Sequence, residues 1–414
     1  MGRVPQVQRH LDVSKLIRAL AVVSISIFMA ACVSQTVKTT SVPAIQNASE
    51  HMSEALLLDV AIAIFNPGID DYDGEQQIYP EVRKAEARYM PNLLSEAMQN
   101  SGAWGAVRVV PSEAQISDLL VTGEILHSDG EELNLKIVAR DSRGYVWLER
   151  EYSDNTSRYA YQATTRNKRD PFQAVYNTIA NDLLQKQEEL RLEDRQNIRL
   201  ITELVFARSF SEEAFQGYLA KNRKGKLLVM RLPAQGDPML ERVRVIRERD
   251  NLFVDTMQEY YGSFNGEMIG PYQEWRKLSY QEVVALQELR AESTRRMIAG
   301  GVAVLAGIAA ASSNDGYSRA AGNVAIIGGG YLLKSGLEQR NEAQIHVEAL
   351  SELGMSLEAE ITPQVIELED RSVMLSGSVA DQYDQWRELL AEIYRAEIGA
   401  LEVIADSESP DNNL

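Results

Sequence analysis

The spacing of apolar residues changes partway along this chain, and that change constrains the fold more than any other feature. Residues 56–65 form a nearly continuous apolar run with Leu58, Val60, Ile62 and Ile64 on one face, as a strand requires, and Asn66-Pro67-Gly68 ends it. Tyr89, Leu93, Ala97 and Met98 mark a helix that stops near Ser101-Gly102, and residues 104–110 read as a second strand. Residues 119–126, 133–140 and 145–151 predict a three-strand meander, its turns signalled by Asp129-Gly130 and by Asp141-Ser142-Arg143-Gly144. Phe172, Val175, Tyr176, Ile179 and Leu183 then recur at helical spacing. The order β-α-β followed by β-β-β-α predicts an α/β sandwich, helices on one sheet, over residues 55–190.

Beyond it the period lengthens. Residues 191–296 are charged and helical, with a short strand signal only at 226–232. Phe253, Met257, Tyr260, Phe264, Met268, Tyr272 and Trp275 form an aromatic and apolar stripe at steps of three and four, which reads as a face packed on another helix; the competing reading is an aromatic ligand cage. Gly262, Gly266 and Gly270 either let two backbones approach or loosen the helix, and a break is expected at Gly270-Pro271. Residues 297–311 and 320–333 are Gly/Ala-rich and joined by Ser312-Ser313-Asn314-Asp315-Gly316, predicting a helical hairpin over 297–340. Its small-residue stripes are Ala299, Ala303, Gly307 and Ala311, and Ala321, Ala325 and Gly329. Each arm is roughly 21 to 23 Å long, short of the ~30 Å bilayer core, so burial against the aromatic helix is favoured over membrane entry or ring assembly.

A last small domain is expected over 341–405. Val347, Leu350, Leu353 and Leu357 suggest a helix, 364–368 and 372–379 a strand pair, Tyr383, Trp386, Leu389, Leu390 and Ile393 a second helix, and 400–404 a third strand. This gives an αββαβ order, followed by an acidic tail at 406–414. The fold class is therefore α+β multidomain: an α/β sandwich, a helical middle region carrying the Gly/Ala-rich hairpin, and a small C-terminal αββαβ domain.

Charge and reactive residues narrow the function. The 414 residues carry 42 Lys+Arg against 60 Asp+Glu, a net charge of −18, which repels nucleic acid over long range. The one cysteine, Cys32, leaves no internal disulfide to form, so stability must come from apolar cores. His51, His127 and His346 each stand alone, and neither H-E-x-x-H nor G-x-S-x-G occurs. Gly328-Gly329-Gly330 lacks the spacing of a phosphate-cradling loop. Asp70, Asp71, Asp73 and Glu75 make a dense acidic loop without EF-hand spacing, read as solvated in preference to a Ca²⁺ site. No enzyme, cofactor or metal is expected.

The N-terminus supplies the sharpest chemical expectation. Arg3, Arg9, Lys15 and Arg18 precede a short apolar run, residues 19–29, that ends in Met29-Ala30-Ala31-Cys32, the order of an export signal over residues 1–31. The last four residues resemble the lipobox of bacterial lipoproteins, with Met29 in place of the usual Leu. That resemblance implies lipid attachment at the Cys32 thiol, cleavage before it, and, with Val33 in place of an Asp, a periplasm-facing anchor in the outer membrane. Residues 32–54 read as a flexible linker. Two further resemblances point the same way. The strand, Asn-Pro turn, helix and "GAWGAVRVVPS" run are similar to the sheet domains of curli-secretion-type lipoproteins and of the TolB N-terminal type. Val373-Met374-Leu375-Ser376-Gly377-Ser378-Val379 resembles the core of BON domains. Together they imply membrane lipid as partner through acylated Cys32, protein partners or self-assembly, and a structural or assembly role in an envelope or secretion-type complex. The alternatives are a phospholipid- or peptidoglycan-binding module and, least favoured, a cell-wall hydrolase.

Overall fold

The computed structural model describes residues 36–39, 42–48, 53–69, 79–161, 170–310, 345, 347–349, 351–352, 364–367 and 372–407, the backbone alone at 36–39, 158, 286, 288–310, 364–365, 367 and 398–407. The expected export signal, Cys32, the acidic run at Asp70, His51, His346 and residues 311–340 of the expected hairpin lie outside them. The chain is α+β multidomain: a mixed sheet with its helices, a helical middle and a small C-terminal αβ element.

The sheet has six strands, β1 Thr36–Thr39, β2 Val60–Ala63, β3 Val107–Val110, β4 Leu119–Ser128, β5 Glu132–Asp141 and β6 Val146–Asn155, in the order β1-β6-β5-β4-β2-β3. Strand β2 runs parallel to β3 and β4, while β4, β5 and β6 form the expected antiparallel meander. A parallel neighbour needs a crossover, and helix α1, Pro80–Gln99, supplies it between β2 and β3. Leu133, Leu135, Ile137 and Ala139 alternate along β5 and are fully buried on one face, over helix α2, Gln173–Glu188. All four residues of β2 are buried, because the helical middle covers its second face. Helices thus cover both faces of the sheet at the β2–β3 side, where the meander half keeps one face open.

Helix α3, Leu192–Phe210, a two-stranded hairpin of β7, Leu219–Lys221, and β8, Leu227–Val229, and helix α4, Pro238–Ala310, make up the middle. Helix α4 does not break at Gly270-Pro271; its backbone stays helical for 73 residues. Proline removes a hydrogen bond but ends a helix only if nothing else holds the turn. Here Tyr272 packs edge-on to Tyr89 of α1, and Trp275 to Tyr79, at centroid distances of 5.4 and 6.2 Å. The aromatic stripe is a packing face: Phe253, Met257, Tyr261, Phe264, Met268, Tyr272 and Trp275 are buried, with Tyr261 taking the place expected for the half-buried Tyr260. Gly262, Gly266 and Gly270 face open space, so they mediate no close approach among the described residues. Residues 297–310 continue this same helix, so the first arm of the expected hairpin cannot fold back on the aromatic stripe.

Strands β9, Gln364–Glu367, and β10, Ser372–Leu375, pair antiparallel as expected, and helix α5, Val379–Ser407, follows. The second strand stops at Leu375 because Gly377 takes φ +101° and Ser378 caps the helix: its hydroxyl accepts from the Asp381 N–H at 3.2 Å while the Asp381 carboxylate accepts from the Ser378 N–H at 2.9 Å. Residues 400–404 are helical, not a third strand, since the Ala-, Glu- and Leu-rich run before them favours helix more than Val403-Ile404 favours strand. Trp386 stacks on Phe253 at 4.8 Å and Tyr394 meets Phe210, so one core takes residues from α3, α4 and α5.

Two stretches of the expected linker have defined structure. Residues 36–39 form a strand at the edge beside β6, and residues 42–48 lie along α2. There Asn177 Nδ2 donates to the Pro43 carbonyl, Asn181 Nδ2 donates to that of Ala44, and Asn181 Oδ1 accepts from the Gln46 N–H, all at 2.8–2.9 Å. The partners sit more than 130 residues away, out of reach of a local reading.

Candidate functional site

The most elaborate side-chain arrangement is a buried polar junction between α4 and the sheet. Tyr272 and Arg276, one turn apart, sit on the apolar face of α4. Arg276 makes two parallel hydrogen bonds to Asp170, at 2.6 and 3.1 Å, with both side chains at most 2% exposed. Asp170 is itself held by the Phe172 N–H at 2.9 Å, at the entry to α2. The guanidinium also lies over the Tyr272 ring at 4.1 Å. Burial works against the charge on Arg276, but the Asp170 carboxylate overrides it and raises its pKa.

Glu86 of α1 completes the junction. One of its oxygens accepts from the Ser128 hydroxyl at 2.6 Å and from the Tyr272 hydroxyl at 2.5 Å. Its other oxygen lies 3.8 Å from Arg83, which also donates to the Ile125 carbonyl at 3.2 Å. Burial pushes the Glu86 carboxyl up, opposed by Arg83 and these hydroxyls. Beside it Gly130, at the β4–β5 turn, touches the α4 backbone, and its carbonyl accepts from Tyr161 at 2.6 Å. Gln287 Nε2 donates to Glu131 one step further out at 2.5 Å.

This arrangement joins α1, β4, α4 and the entry to α2 through paired charges, although Glu86 Oε2 and Arg276 Nε are buried without a hydrogen-bond partner among the described residues. Apart from it, a small cavity lined by Asp59, Arg108, Gln115 and Arg247 holds about 20 Å³, space for one water. A larger groove of about 430 Å³ lies beside Pro43 and is lined by Glu96, Asn100, Gln173 and Asn177. Burial raises the Glu96 carboxyl there.

Of the residues singled out in the sequence, His127 is the one ionisable group of a candidate metal or catalytic type that falls within the described residues. Its Nε2 lies 2.9 Å from Asp129 Oδ2, and Asp129 Oδ1 accepts from the N–H groups of Glu131 and Glu132 at the hairpin turn. This pairing raises His127, while Asp129, despite its burial, is lowered by His127 and the two N–H groups. The pair therefore stabilises the fold between the two titrations; its contribution fades as pH rises through the His127 value or falls through that of Asp129. NMR titration is expected to place His127 above the ordinary histidine range, and Asp129→Asn to bring it back down; an unchanged midpoint would rule the pairing out. Among the described residues no group of three or more His, Cys, Asp or Glu could hold a metal ion.

Sequence reasoning missed Glu86, Asp170 and Arg276. The available signal was Arg276 itself, a cation four residues after Tyr272 and next to Trp275 on the stripe's apolar side. Among the described residues no helix is long and apolar enough to cross a membrane. Comparison with protein families and with curated proteins returns no match to this chain.

Proposed function

We propose that this chain is a lipid-anchored structural component of an envelope or secretion-type assembly, held at the periplasmic face of the outer membrane through Cys32. The observation that carries the structural half of the reading is helix α4. Buried Tyr272 and Arg276 fasten its middle to Glu86 of α1 and to Asp170 at the entry to α2, and it then continues from Gln287 to Ala310, roughly 35 Å of further helix. A site that spends its ionisable groups on rigid attachment suits a part that presents an arm to other subunits. Met29-Ala30-Ala31-Cys32 supports the anchoring half.

The two halves are tested separately. Labelled palmitate is expected to enter the protein in growing cells, and Cys32→Ser to lose both the label and the membrane-bound fraction; label retained by the variant would reject the anchor. Cross-linking in intact cells is expected to trap discrete larger species through the α4 arm. Their absence with a photoreactive group placed between Gln287 and Ala310 would reject the assembly role.

A further inference from the structure

The β7–β8 hairpin has the wrong polarity for a solvent-facing sheet. Along β8, Leu227 and Val229 turn inward and pack on the core around Phe215 and Tyr218. The alternate residues turn outward, as the two-residue period requires. Leu228, Met230 and, two residues on, Leu232 are 44%, 63% and 70% exposed, and Ala220, opposite Leu228, is exposed too. An outward face of a two-stranded sheet is normally polar; this one is an apolar stripe that no described residue covers.

The charge around the stripe reverses that of the whole protein. Residues 219–232 contain Lys221, Arg223, Lys224, Lys226 and Arg231 and no carboxylate, in a chain of net charge −18. Among the described residues, Lys221, Arg223 and Lys224 have no carboxylate within ion-pair distance. The turn that presents them is well defined: Asn222 Oδ1 accepts from the Lys224 and Lys226 N–H groups at 2.8 and 3.0 Å. Lys226 Nζ lies over the ring of Tyr145, 5.3 Å away, which adds a half-exposed amphipathic ring to the patch.

We propose that this hairpin is a docking surface for an anionic phospholipid bilayer. An acidic polypeptide would match the cations and leave Leu228, Met230 and Leu232 in water. An anionic membrane interface matches both, with headgroup charge for the cations and the acyl boundary for the stripe. Tyrosine beside lysine is the pairing such interfaces favour. The contact is additional to acylation and does not depend on it, so its failure leaves the Cys32 reading intact.

The test uses the full chain with Cys32→Ser throughout, so that any contribution of the first 31 residues is common to every variant. Co-sedimentation is measured with vesicles of phosphatidylglycerol and phosphatidylcholine, and with phosphatidylcholine alone. The parent is expected on the anionic vesicles, less so as salt rises. Lys221→Gln, Arg223→Gln and Lys224→Gln together are expected to weaken partitioning by on the order of a hundredfold, roughly fivefold per cation. Met230→Ser with Leu232→Ser is expected to lower it on both vesicle types. All five positions are exposed, so the thermal midpoint is expected to stay unchanged. Equal binding of the parent to both vesicle types, or of parent and triple variant to anionic ones, would overturn the proposal. So would retention on polyglutamate without retention on vesicles.

Discussion

Asp170→Asn is expected to cost about 3–5 kcal/mol of folding stability, a large share of the roughly 5–15 kcal/mol typical of a folded protein. The substitution is nearly isosteric, so packing is preserved and the loss isolates the charge. Arg276, 1% exposed, would keep its positive charge with an amide in place of the bidentate carboxylate. Removing both charges, as Asp170→Leu with Arg276→Met, is expected to recover much of the loss, because no buried ion is then left unpaired. Urea unfolding followed by the fluorescence of Trp275, stacked on Tyr272 beside the pair at 5.9 Å, provides the measurement. A loss below about 1 kcal/mol would mean that the guanidinium finds water or another partner.

Gly130→Ala is expected to cost about 3 kcal/mol, at the upper end of overpacking effects. A methyl group there would lie 2.7 Å from Tyr280 Cα and closer still to the Arg276 carbonyl oxygen and the Tyr280 nitrogen. All three are backbone atoms of α4 and cannot rotate aside, so the helix itself must lift away from the β4–β5 turn. Gly262→Ala in the same helix is the matched control. Nothing lies within 4 Å of that position, and the better helix propensity of alanine is expected to stabilise by about 1 kcal/mol. Thermal melts of the two variants should therefore shift in opposite directions; shifts of the same sign would show that Gly130 does not set the distance between turn and helix.

The elements legible in the sequence are those whose burial is periodic. Leu133, Leu135, Ile137 and Ala139 announce β5, and Val175, Ile179 and Leu183 announce α2, because each packs against one layer with a single face. Where two forces compete, local pattern fails. At Gly270-Pro271 the backbone preference for a break loses to Tyr272 and Trp275 packing on Tyr89 and Tyr79. At residues 400–404 a β-branched pair is outvoted by the helix that precedes it. The buried junction was least legible, since Glu86 sits in a charged helix, Asp170 follows a basic run of sequence, and Arg276 lies 106 residues beyond Asp170. Their meaning exists only once the chain has brought them together.

A lipid anchor at Cys32 would work as a leash whose length strand β1 and the segment docked on α2 set. If residues 32–54 were free, an anchor at Cys32 would leave the body a radius of roughly 73–79 Å in which to move, at about 3.3–3.6 Å per extended residue. Asn177 and Asn181 instead hold the chain at Pro43 and Ala44. Strand β1 holds it earlier still, so the contour from Cys32 to Thr36 is at most about 14 Å. Under such an anchor, strand β1 and the two asparagine side chains would together decide how far from the membrane the body can reach.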